Sequence, residues 1–248
     1  MPMPERLYDQ IGTGYARTRR TDPRIAAIVW DRLGTGTSLL NVGAGTGSYE
    51  PACRCVVAVE PSAAMRAQRP EGAARCVAGT AEALPFSDNS FDVVMSVFSH
   101  WHWTDQRKGL AEMRRVARQR VLLISLDRKV ADKFWLVDEY LPSAHALWGA
   151  FDETVRELGD CEIVEMPVPA DCIDGFFHAY WRRPHAYLDE SVRETMAVFK
   201  RLDPGEAERG LRQLRTDLHR GRWRDRHAPL LEKHMLDLGY RLLVHTCD

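Results

Sequence analysis

The sequence predicts an α/β fold: an open, mostly parallel sheet with helices on both faces, and a helical insertion late in the chain. Three observations predict it. The apolar run Ser38-Leu39-Leu40-Asn41-Val42 ends in three alternate glycines, Gly43, Gly45 and Gly47; a buried parallel strand feeding a tight, ligand-accessible turn has this form. A second apolar strand, Val56-Val57-Ala58-Val59, ends in Glu60. An acid at the tip of the second strand of a βαβ unit is placed to accept from both hydroxyls of a ribose. Further apolar runs, from Phe91 to Val97 and from Val121 to Leu126, alternate with helical periodicity, and that rhythm builds parallel sheets.

Size and composition narrow the classes. A chain of 248 residues holds one large α/β domain, or a core with an inserted cap. The formal net charge of −1 argues against a nucleic-acid coat. The six cysteines (Cys53, Cys55, Cys76, Cys161, Cys172 and Cys247) form no C-x-x-C pair, so no metal site is expected. The start, Met1 to Arg6, lacks the apolar core of a signal peptide, and no apolar run approaches membrane-spanning length. These features predict a soluble, cytoplasmic chain.

In chain order, residues 8–20 are rich in Gly, Tyr and Arg without regular periodicity, which suits either a solvated leader or a lid. Asp22 then reads as an N-cap with Pro23 at the first helical position. Ile25, Ile28, Val29 and Leu33 follow at helical spacing, and Gly34 ends that helix. After the glycine strand, residues 43–55 contain Pro51 and leave room for a helix of two turns at most. Pro61-Ser62 starts a short helix from Ala63 to Arg69, and Ala74 to Ala78 reads as the third strand.

The glycine spacing decides the ligand class. A dinucleotide fingerprint needs its third glycine where Ser48 stands, and no Lys-Ser or Lys-Thr follows to make a phosphate cradle. The observed G-x-G-x-G after a strand resembles motif I of the class I S-adenosylmethionine-dependent methyltransferases. Gly79-Thr80-Ala81-Glu82-Ala83-Leu84-Pro85-Phe86, with Phe91-Asp92-Val93-Val94 after it, resembles the G-D-A-x-x-L-P-F…F-D-x-V signature of the methyltransferase type 11 group. That group includes quinone C-methyltransferases, and the resemblance covers roughly residues 8–127. It implies a Rossmann-like seven-stranded sheet, mostly parallel with one antiparallel strand.

The resemblance further implies S-adenosyl-L-methionine as cofactor and S-adenosyl-L-homocysteine as product. The cofactor-binding residues it implies are Gly43, Ala44, Gly45, Glu60, Pro61, Met65, Thr80, Ala81, Glu82 and Phe98. Its N-terminal lid would be residues 1–21, with Tyr15 and Arg20 over the methionine end. Two positions depart from the pattern. Asn41 stands where many members carry an acid, and Thr80 replaces the usual Asp, passing the adenine amino-group contact to a hydroxyl or to Glu82.

The fourth strand delivers Phe98-Ser99-His100-Trp101-His102-Trp103-Thr104-Asp105 at its carboxyl end, where open α/β sheets bind ligands. In an extended chain His100 and His102 would share one side and Trp101 and Trp103 the other. Either histidine can serve as a base for the acceptor, His102 being the better placed, or both can be walls of the pocket. An H-x-H metal pair lacks a third ligand.

Asp105 caps the next helix, and Val121 to Leu126 is the fifth strand. Helices are expected over 132–148 and 151–158, and Glu162 to Met166 is a sixth strand. Residues 171–226 break the βα rhythm and read as a helical substrate cap, with helices over 189–202 and 204–219. His178, Tyr180 and Trp181 in that segment, with Trp101 and Trp103, are candidate substrate-binding residues or core aromatics. A helix from Leu230 to Leu238 and a final antiparallel edge strand from Tyr240 to His245 complete a core of residues 1–170 plus 227–248.

The expected activity is methyl transfer to a small-molecule O, N or C acceptor, aromatic or a secondary metabolite. The basic run from Arg212 to Arg226 reads as a solvated helix face. The alternatives are an RNA methyltransferase, disfavoured by the balanced charge, and a cofactor-binding regulatory protein without turnover.

Overall fold

The computed structural model describes residues 15–247. The first fourteen residues of the expected lid, and Asp248, lie outside the described residues. A seven-stranded sheet has the order β3-β2-β1-β4-β5-β9-β6. Its strands are β1 (Ser38–Val42), β2 (Cys55–Val59), β3 (Arg75–Val77), β4 (Phe91–Ser96), β5 (Ala117–Leu126), β6 (Glu162–Glu165) and β9 (Tyr240–Thr246). β1 to β5 run parallel to one another, and β9 alone runs antiparallel, to both β5 and β6. A separate ladder pairs β7 (Val168–Pro169) with β8 (Met235–Leu236).

The chain winds from β1 outward to β3, then returns across β1 to β4. Strand order therefore reverses between β1 and β4, which opens a crevice at their carboxyl ends. Alternation along β1 sends Leu40 and Val42 into the core on the side of the helix Gln106–Val116. Leu39 goes into the core that holds the helix Pro23–Trp30 and the aromatics of residues 171–226.

Three helices with an explicit side-chain cap start where the sequence places them. Asp22 accepts from the Arg24 N–H, Ser62 from Met65 and Asp105 from Lys108. Several other stretches differ from expectation. Residues 132–148 are not one helix but Trp135–Tyr140 and a 3-10 segment Pro142–Leu147, because Pro142 has no N–H to continue the ladder. Residues 189–202 split into Glu190–Arg193 and Ala197–Arg201, with buried Thr195 and Met196 at the break. The expected Leu230–Leu238 helix is instead the end of Arg222–Leu231, kinked at His227 two residues before Pro229, followed by β8.

Two further corrections concern strands and the crossover. Between β1 and β2 there are turns and no helix. The last strand is not at the edge. Tyr240 to Val244 are buried, which requires cover on both sides, whereas β6 with its exposed Glu162 and Glu165 makes a charged edge that resists pairing. Among the described residues no helix is long and apolar enough to cross a membrane.

Candidate active site

The glycine loop sits at the carboxyl end of β1. Gly43, Gly45 and Gly47 have φ of 69°, 53° and 94°, the left-handed region where a side chain is strained. A Cβ on Gly43 would also lie 1.8 Å from Ser99 Oγ. Glycine there lets the loops after β1 and β4 close on each other. The Gly43 and Ala44 N–H groups bond the Val59 carbonyl at 2.9 and 3.0 Å, joining the loop to the end of β2.

Glu60 follows that strand and is 6% exposed. Its Oε2 accepts from the Gly45 N–H at 2.8 Å and its Oε1 from the Ser62 N–H at 2.9 Å. Burial raises its carboxyl pKa, opposed by those two N–H groups and by Arg66 and Arg69. Each carboxylate oxygen has a second lone pair, so two hydroxyls can still be received.

These groups line an open cavity with about 1060 Å³ of atom-free space, solvent at its mouth included. Gly43, Ala44 and Gly45 line it together with Glu60, Pro61 and Met65, and so do Thr80, Ala81 and Glu82. Tyr15 and Phe98 line it as well. Glu82 Oε1 accepts from the Thr104 and Asp105 N–H groups at 2.7 and 3.2 Å, tying its segment to the loop after β4.

Arg20 is the exception: it is exposed and does not line the cavity. Arg19 lines it instead. Tyr15–Thr18 is helical, so Tyr15 and Arg19 fall one turn apart on one face. Arg19 Nη1 donates to Tyr15 Oη at 2.6 Å, while its Nε and Nη2 donate to the two Asp174 oxygens at 2.6 and 3.3 Å. Tyr49 Oη also donates to Asp174, at 2.7 Å. These bonds use three of the five guanidinium N–H groups, which leaves donors for an anionic ligand group. Asp174 and Tyr49 escaped the sequence reading because a buried acid and its distant arginine have no spacing signal. The helical i, i+4 offset of Tyr15 and Arg19 was the available clue.

A second cavity, about 640 Å³, opens beside the first and shares Arg19, Phe98 and His102 with it. Its walls are aromatic and aliphatic, including Trp101, Trp148, Phe176, Phe177, Met196 and Tyr240, with Arg201 as a further cation. Phe98 has φ of 55°, a strained backbone for a bulky residue. That turn stacks its ring on Phe176 at 4.9 Å between the cavities.

The strained Phe98 also ends the extended chain. His100–His102 is a 3-10 turn, so the expected alternation of histidines and tryptophans does not occur. Trp103 lines the first cavity and Trp101 the second. His100 is 2% exposed, with Nε2 3.4 Å from Ser125 Oγ, and lines neither of these two cavities. His102 borders both. Its Nε2 accepts the Trp101 indole N–H at 2.8 Å, and since an indole can only donate, the neutral ring carries its proton on Nδ1. Burial lowers the pKa of each of these histidines to about 3, with Arg201, His100 and Arg19 adding to the effect at His102.

The three candidates from the cap lie behind the cavity wall. His178 is fully buried against Tyr240 Oη at 2.8 Å. Trp181 is fully buried and donates its indole N–H to the Val168 carbonyl at 3.1 Å. Tyr180 packs under the Arg183 guanidinium, 4.6 Å from its ring centre. None of the three lines either cavity. Among the described residues, no three His, Cys, Asp or Glu side chains gather closely enough to hold a metal ion.

Comparison with known proteins gives consistent matches. A methyltransferase domain model matches residues 40–125. A provisionally named methyltransferase from an antibiotic biosynthesis pathway of Anabaena variabilis superimposes with a TM-score of 0.86 at 31% identity. The match covers 92% of this chain and 99% of that one. An uncharacterized methyltransferase of Mycobacterium tuberculosis is 38% identical over 112 residues, 42% of this chain and 44% of its own length. The 2-methyl-6-phytyl-1,4-hydroquinone methyltransferase of Synechocystis is 27% identical over 193 residues, 66% of this chain and 60% of its own length. The chain thus spans under two thirds of the length of either curated relative.

Proposed function

Since the chain belongs to the class I S-adenosylmethionine-dependent methyltransferases, we propose that it methylates an O, N or C atom of a small, flat, largely apolar acceptor held in the second cavity. The observation that carries this reading is the meeting of a nucleoside-type cavity and an aromatic cavity across Arg19, Phe98 and His102. When bound, the cofactor supplies a methyl group on a positively charged sulfur. The chain's residues hold, orient and exclude water.

In this reading Glu60 takes the ribose hydroxyls, and Thr80, Ala81 and Glu82 with Met65 and Pro61 enclose the adenine. The spare N–H groups of Arg19, with Tyr15, take the carboxylate, in the role expected of Arg20. Phe98 and Trp101 flank the acceptor. Holding two reactants in line contributes several kcal/mol by itself, so no acid or base is required. His102, neutral with its proton on Nδ1, presents a donor and a wall rather than a base. His100, His178, Tyr180 and Trp181 support the walls from behind.

Residues 171–226 act as the cap over the acceptor, on a body of residues 1–170 and 227–248. Thr18 Oγ1 donates to Thr195 Oγ1 at 2.7 Å and the Gly175 N–H donates to the Thr18 carbonyl at 2.8 Å, so the end of the lid segment is already fastened to that cap. The RNA alternative is weakened because Arg212, Arg222 and Arg226 pair with Glu208, Asp217 and Glu139. Calorimetric titration of S-adenosylhomocysteine tests the proposal. Micromolar binding by the wild-type protein, reduced about a hundredfold by Glu60→Ala, is expected from two lost charged hydrogen bonds. No binding by the wild-type protein would sink it.

A further inference from the structure

The second cavity is largely apolar in its walls and positive in its charge. Among the described residues, Arg19 and Arg201 line it and no Asp or Glu does. The two guanidiniums are not equivalent. Arg19 borders both cavities and is held by Asp174, to which its Nε donates at 2.6 Å. Arg201 lines the second cavity and not the first. It ends the helix Ala197–Arg201, and its Nη1 donates to the Leu147 carbonyl at 3.4 Å.

The uncharged polar groups of the lining add little that could hold a cation. Thr195 Oγ1 accepts from Thr18 at 2.7 Å and donates to the Val192 carbonyl at 3.2 Å. Tyr240 Oη is bonded to His178 Nδ1 at 2.8 Å, and the Trp101 indole donates to His102 at 2.8 Å. Trp148 brings an indole N–H, buried and without a partner among the described residues, and an indole can only donate. A ligand here meets rings, alkyl groups, donors and guanidinium charge.

That charge reaches the boundary between the cavities. Burial first, and then the Arg201 charge, hold the pKa of His102 down to about 3. A cleft of one sign of charge with apolar walls favours a ligand of the other sign.

We propose that the methyl acceptor is a flat acid, a ring system carrying one anionic group, and that Arg201 is the residue that recognises that group. A guanidinium fork matches a carboxylate in two parallel hydrogen bonds, and among apolar side chains the pairing is stronger than in water. Arg19 then serves the cofactor's carboxylate and Arg201 the acceptor's anion, so each anion has its own arginine. This inference rests on the acceptor reading above.

The test uses two fluorescent probes with the same rings, 1-anilinonaphthalene-8-sulfonate and N-phenyl-1-naphthylamine, of which only the first is charged. Each is titrated into the full chain with S-adenosylhomocysteine saturating the first cavity. Arg201→Leu should weaken the sulfonate about tenfold or more, as for other hydrogen bonds between charged groups, and leave the neutral probe within about twofold. If that variant melts too low to titrate, Arg201→Lys decides by the same comparison. It keeps the charge without the fork, and a loss of about threefold or more for the sulfonate alone is expected. Equal losses for both probes, or an unchanged sulfonate affinity, would overturn the proposal and leave Arg201 as cover for the apolar wall. If the wild-type protein binds neither probe, the acceptor reading itself fails, and if it does not bind S-adenosylhomocysteine, the cofactor reading fails. Both differ from probes that bind but do not sense Arg201.

Discussion

His102 borders both cavities, and its protonation state decides what it can do there. The indole N–H of Trp101 occupies Nε2, and burial together with the positive charges of Arg201 and Arg19 lowers its pKa to about 3. The ring is therefore neutral at every pH where methyl transfer is assayed, with a donor at Nδ1. A pH–rate profile with saturating substrates should show no inflection from His102 between about pH 5 and 8, and His102→Phe should scale the profile without changing its shape. An inflection near pH 6 to 7 that disappears in the variant would restore the histidine as a base. That Gly43, Ala44, Gly45 and Glu60 line the first cavity was legible because glycines and an acid at a strand tip leave a spacing signature. Arg19, Tyr49 and Asp174 were not, since their partnership joins segments more than a hundred residues apart.

At the scale of elements, the helix Gln106–Val116 shows how closely backbone geometry and the site are coupled. A Cβ on Gly109 would stand 2.4 Å from Trp103 Cε3. Trp103 lines the first cavity, so the indole has little room to retreat except into it. Gly109→Ala gains roughly 1 kcal/mol of helix propensity, but overpacking costs about 1–3 kcal/mol. The expected outcome is a lower melting temperature with weaker S-adenosylhomocysteine binding; a stabilised variant of unchanged affinity would show that the indole has space to move. The capped helix starts at Asp22, Ser62 and Asp105 were readable because the cap is a local chemical event. The inner position of β9 was half readable: Leu242-Leu243-Val244 is too apolar for an edge, and Glu162 with Glu165 marks one. The broken helices over 132–148 and 189–202 depend on tertiary packing that overrides periodicity, and at Phe98 a positive φ converts an expected strand end into a 3-10 turn.

At the scale of the whole molecule, burial places three histidines where they cannot charge. His100, His102 and His178 each have their pKa lowered to about 3 by desolvation, against about 6.5 in the unfolded chain. Below pH 6.5 the unfolded state binds protons that the folded state refuses. Stability then rises with pH and is lost as the pH falls from about 6.5 toward 3. Near pH 5 unfolding should take up about three protons from these groups, one for each ring. The melting temperature, followed by calorimetry from pH 8 to 4, is therefore expected to hold above pH 7 and fall progressively below 6.5. His178 is the cleanest position at which to test the cause, because it lines neither of the two cavities and its Nδ1 is bonded to Tyr240 Oη. His178→Gln keeps a polar side chain but cannot titrate, so it should cost stability at pH 8 while making the decline on acidification shallower by one proton in three. A melting temperature that stays flat between pH 7 and 5 would mean that the folded protein takes up those protons, and that the walls behind both cavities open to water as it does so.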